Sequence, residues 1–166
     1  MITIHPNEHL VEQYVRILKK WFTITNIKLK ENREIDILAL DTNGNCYHIE
    51  VEIHKTGLQW GPEGNAGYTV KEYKEKKFNE EITNFIKDEY GASIVNNIWV
   101  CWGIHPLKKQ LALSEAEKYG IVIWEFKEKV IELWEKISTA HYGDDIIQAL
   151  SIIKEAMPVS FEAMKR

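Results

Sequence analysis

The chain has 166 residues, 45% hydrophobic and 28% charged, which suits one globular domain large enough to bury a core without covalent staples. Its net charge of -4 gives no global basic signature of nucleic-acid binding, so any phosphate contact has to come from a local patch. Two cysteines, Cys46 and Cys101, with no CxxC spacing, exclude a disulfide framework and read as buried thiols in a reducing compartment.

In chain order, the opening MITIHPNEHL has neither a charged n-region nor an apolar h-region, so no signal peptide is expected. No apolar run approaches membrane-spanning length, and the reading is a cytoplasmic protein without membrane contact. Pro6 and Asn7 are start signals for an amphipathic helix to about Trp21, with Val11, Tyr14, Val15, Leu18 and Phe22 on its buried face. Glu8 continues that line one turn earlier, while Glu12 lies further round. A carboxylate aligned with a core face needs a partner, although an acid in a first turn is also favoured by the helix dipole.

Strands are expected over about Phe22–Lys30, Glu34–Leu40 and Cys46–His54, the last two joined by a turn at Asn43-Gly44-Asn45. Alternation puts Glu50, Glu52 and His54 on one face of their strand and Ile49, Val51 and Ile53 on the other. Pairing as a hairpin lets Asp36 lie across from Glu50. Acids grouped at mid-sheet are costly unless a cation sits between them, and a hard cation with oxygen ligands is the usual solution. The same alternation also describes the wet face of a half-exposed strand.

Residues 55–70 hold four of the nine glycines, with Pro62 and Trp60, and read as a long loop beside the acidic strand. Trp60 is placed to stack on a base. A charged helix is expected over about Thr69–Glu89, with Val70, Tyr73, Lys77, Phe78, Ile82, Phe85 and Ile86 as its mostly apolar stripe and Gly91 as its stop. NNIWVCWGI and IVIWEF read as buried strands, linked through a loop with Pro106, Lys108 and Lys109 and a helix LALSEAEKYG. That strand-helix-strand unit looks like a right-handed crossover between parallel strands. Two helices near 129–137 and 144–157 finish the chain, and no domain linker or repeat divides 1–166. The other tryptophans read as packing residues.

The segment EIDILALDTNGNCYHIEVEIHK resembles the PD-(D/E)xK nuclease superfamily, in which an Asp on one strand is followed, after a hairpin, by Glu-x-Lys on the next. The resemblance spans about Asn7 to Phe126. It implies an α/β restriction-endonuclease-like core, a central mixed sheet flanked by helices. It implies a nuclease that uses Mg²⁺ or Mn²⁺ to cleave DNA, with Asp36 and Glu50 as metal ligands and Glu8 as a helix-borne third. Many nucleases of this fold dimerise to cut both strands, so a homodimer is among the expectations. Glu52 stands where the family has Lys, so it is either a further ligand or a replacement that ended catalysis. The missing group is then sought at His54, which has the parity of Glu50, or at Lys71 and Lys74 at the entrance of the following helix, with Lys71 preferred. Lys55 has the wrong parity. Lys71, Lys74, Lys108 and Lys109, with Trp60, are the expected nucleic-acid contacts, although lysines in KEYKEKK also suit a solvated helix face. The alternative to an enzyme is a nuclease-fold protein that has lost cleavage and serves as a binding or interaction module.

Overall fold

The computed structural model describes residues 5–53, 69–138 and 142–156. It is an α/β fold built on a five-stranded mixed sheet in the order β1 (Phe22–Lys28), β2 (Glu34–Leu40), β3 (Cys46–Glu52), β4 (Val95–Cys101), β5 (Ile121–Glu125). The first three strands are antiparallel neighbours, and β3, β4 and β5 run parallel. The hairpin between β2 and β3 closes as expected. Asp41 accepts the N–H groups of Asn43 and Asn45, both at 2.8 Å, and Gly44 supplies the positive φ of +82° that the turn needs.

Both sheet faces are covered. Alternation along the strands sends Ile37, Ala39, Ile49, Ile98 and Val100 to a core shared with α1 (Pro6–Tyr14), α5 (Phe126–Lys136) and α6 (Asp145–Ala156). Leu38, Cys46 and Trp99 go to the opposite face, under α2 (Val70–Lys77), α3 (Glu80–Tyr90) and α4 (Pro106–Lys118). Cys46 and Cys101 are buried free thiols. Among the described residues no helix is long and apolar enough to cross a membrane.

Three expected elements differ most in their bounds. The first helix continues past Tyr14 as a wider π-type turn over Val15–Lys19 and stops at Lys20, which adopts a left-handed conformation (φ 61°). The helix expected over Thr69–Glu89 is two helices. Asn79 breaks it by accepting the Ile82 N–H at 3.0 Å, the N-cap bond that starts α3. Pro106 is not in a loop; it occupies the first turn of α4, where its missing N–H costs nothing, so Lys108 and Lys109 belong to that helix.

Candidate functional site

β3 carries the candidate site on the face covered by α2. α2 begins with a reciprocal cap between Thr69 and Glu72, and it lies on the sheet through two aromatic contacts. Tyr73 stacks on Trp99 with centroids 3.8 Å apart and planes within 10°, and Phe78 meets the His48 ring edge-on at 4.8 Å. Pairs of this kind contribute about 0.5–1.5 kcal/mol beyond the area they bury. Four residues after Tyr73 comes Lys77, on the same side of the helix. The helix therefore delivers its last lysine to the sheet.

Glu50 has no solvent exposure. The solvated-face reading of the acidic strand is thereby overturned: the layer of α2 and α3 covers what would be the wet side. Lys77 Nζ lies 2.5 Å from Glu50 Oε2, and His48 Nε2 lies 2.8 Å from Oε1. Asp36 is 7% exposed. The β2–β3 ladder pairs Ile37 with Ile49, and two residues along β3 from Ile49 the Val51 N–H donates to Asp36 Oδ2 at 2.7 Å.

The charges do not balance. Burial first, and then the charge of Glu50, push the Asp36 carboxyl up to about 7, against the Val51 N–H and Lys77, which lower it. Glu8, in the first turn of α1, is also raised, by burial foremost and then by Glu34 and Glu50, with His5 opposing. Its Oε2 is buried and accepts no hydrogen bond. Burial works against the Lys77 ammonium, but Glu50, Asp36 and Glu52 outweigh it and hold the pKa above the ordinary lysine value. Lys77 is thus a cation committed to this acid group.

The other predicted residues fall as follows. Glu52 is half-buried and accepts the Tyr73 hydroxyl, whose pKa is raised by burial and then by Glu50, Glu52 and Asp36. Lys71, 62% exposed, pairs along its own helix with Glu75 at 3.9 Å. Lys74 donates to the Tyr119 carbonyl at 3.1 Å. Neither is the lysine on Glu50. Lys108 is exposed, and Lys109 pairs with Glu125 and Glu128. Glu12 is buried and accepts from Thr23 Oγ1 at 3.0 Å, with His9 and Arg16 beside it. His54 and Trp60 lie outside the described residues.

Asp36 and Glu50 lie close enough for the charge of Glu50 to raise the Asp36 pKa. Among the described residues no group of three or more His, Cys, Asp or Glu side chains is arranged to hold a metal ion. Sequence reasoning missed Lys77 and His48 as site residues, though both left a signal. Lys77 interrupts the apolar stripe of its helix, where a charge needs a partner. His48 shares the parity of Glu50.

No family model and no curated protein matches the chain. Among solved structures it is similar to the crystal structure of a repair endonuclease from Pyrococcus abyssi, with 16% identity and a TM-score of 0.39. The match covers 74% of this chain and 48% of that one, so this chain spans about half of that structure. The likeness is remote, and the site stands on its own geometry.

Proposed function

We propose that the protein is a divalent-cation-dependent nuclease acting on DNA, of the PD-(D/E)xK type, with Asp36 and Glu50 as the acidic pair and Lys77 as the displaced lysine of the motif. The observation that carries this is Lys77 Nζ at 2.5 Å from Glu50 Oε2, beside an Asp36 whose carboxyl is pushed up to about 7. In sequence the lysine position of the motif is filled by Glu52. In space a lysine comes to the acid from the following helix instead.

The residues fit a hard cation. The donors are carboxylate oxygens, acidic charge exceeds the one lysine, and Asp36 is the acid left under-compensated. Two protein ligands suffice for Mg²⁺, which keeps several waters or phosphate oxygens of its own. When bound, such an ion polarises a phosphoryl oxygen and lowers the pKa of a coordinated water. The protein's own contribution is orientation and charge. Asp36 is held by the Val51 N–H and Glu50 by His48 and Lys77, so neither carboxylate has to be ordered on substrate arrival. Lys77 stays protonated, so it does not take a proton from water. It donates a hydrogen bond or offsets charge that grows on the phosphate.

The test is cleavage of labelled single-stranded, duplex, flap and four-way-junction DNA with Mg²⁺ or Mn²⁺, for wild type, Asp36→Ala and Lys77→Met. Metal-dependent cutting lost in both variants is the expected result. Cutting that survives Lys77→Met but not Asp36→Ala would remove Lys77 from the mechanism.

A second reading has its own observation. Glu50 has no exposed surface, and both its oxygens are engaged by protein groups. Such a pair also suits a nuclease-fold protein that no longer cleaves and acts as a nucleic-acid-binding or interaction module. Absence of cutting above the Asp36→Ala background, with DNA binding retained in both proteins, would select it.

A further inference from the structure

We propose that His48 is a positioning residue: it holds the Glu50 carboxylate in the orientation that takes the cation, an inference that rests on the metal-dependent reading above. His48 precedes Glu50 by two residues on β3, so both side chains point under α2. The imidazole is fully buried, edge-on to Phe78. A carboxylate only accepts hydrogen bonds, so the ring donates Nε2–H to Oε1 across 2.8 Å.

Lys77 stands on the other oxygen. Glu50 is therefore gripped at both ends, by its own strand and by α2. Rotation of the carboxylate is stopped, yet each oxygen keeps a lone pair for a further partner. The position does not require a histidine for packing. Leu38, paired with His48 across the hairpin and on the same face, shows that an apolar side chain suits this layer. The chain instead buries an imidazole whose Nδ1 has no hydrogen-bond partner, an arrangement that costs stability. Holding a ligand carboxylate gives that cost a purpose, as second partners of metal ligands do elsewhere.

The experiment is calorimetric titration of the full chain with Mn²⁺, for wild type, Asp36→Asn, His48→Leu and His48→Gln, with thermal unfolding in EDTA beside it. The expected result is a dissociation constant for Mn²⁺ raised about 10- to 100-fold in His48→Leu. Its melting temperature in EDTA is equal to or above that of wild type. His48→Gln, whose amide N–H can replace Nε2–H, recovers most of the affinity. An unchanged Mn²⁺ constant in a folded His48→Leu protein overturns the proposal. Should His48→Leu not fold, His48→Met takes its place, and failure of both to fold in EDTA would make the ring a packing residue and overturn the proposal equally. Wild type without Mn²⁺ binding removes the metal reading, and this inference with it. Binding lost in Asp36→Asn but kept in His48→Leu leaves that reading standing and removes only the role of His48.

Discussion

Two of the lysine–glutamate pairs on this sheet are built on opposite terms. At the end of β5, Glu125 meets Lys109 and accepts the Ile104 N–H at 3.0 Å. Burial would raise its pKa, but Lys109, that N–H and Lys127 outweigh it and hold the carboxyl below the ordinary range. On β3, Glu50 meets Lys77, but Asp36 and Glu8 stand by with their carboxyls raised. The first pair is complete. The second has one lysine among several acids, and two of those acids have raised pKa values. A lysine–glutamate contact is thus not informative by itself; the unpaired acids around it are.

The largest effect that separates the two pairs is removal of the lysine. Lys77→Met leaves Glu50 buried without its charge partner and is expected to cost about 3–5 kcal/mol in urea unfolding at pH 7. Lys109→Met, at a 44% exposed side chain, costs about 1 kcal/mol or less. Equal costs would break the distinction.

Asp36 sharpens it through pH. Its folded pKa of about 7 lies above the ordinary 3.8, so the folded state keeps a proton that the unfolded chain releases between those values. Stability in EDTA therefore falls as pH rises from about 4 to about 7 and stays lower above that. Asp36→Asn removes this slope. At pH 8 in EDTA it is expected to be more stable than wild type by roughly 1–3 kcal/mol, with the difference closing towards pH 4. An unchanged slope in urea midpoints would remove Asp36 as its source.

Cation addition tests the proposed metal site directly. Saturating Mn²⁺ should raise the melting temperature of wild type, by an amount equivalent to about 2.7 kcal/mol at a hundred times the dissociation constant. The rise should vanish in Asp36→Asn and persist in Glu125→Gln. A rise that survives Asp36→Asn would put the ion elsewhere.

The smallest effect concerns Tyr73. Tyr73→Phe removes the hydroxyl given to Glu52 but keeps the stack on Trp99, and the expected loss is about 1 kcal/mol by chemical denaturation. A loss of several kcal/mol would mean that Glu52 depends on that hydroxyl far more than one hydrogen bond allows.

The amino-acid pattern by itself determined the α/β class. Period-two runs for β1 to β3, the Asn43-Gly44-Asn45 turn and two continuous apolar strands flanking a helix each specify their element locally, and the hairpin register follows from the turn. It also placed Asp36 and Glu50 on neighbouring strands. Tertiary structure decided what those acids meet. Alternation is the same for a wet face and for a face under helices, so the cover that α2 provides, and the complete burial of Glu50, were not readable from β3. Eight lysines stand within residues 71–118 on the helices that cover this face, and their spacing is equally compatible with solvent. The Tyr73–Trp99 stack and the Phe78–His48 contact hold α2 on the sheet with Lys77, rather than Lys71 or Lys74, on Glu50. A pairing across 27 positions in the chain depends on how a helix lands on a sheet, and that is settled by packing of distant residues rather than by any local preference.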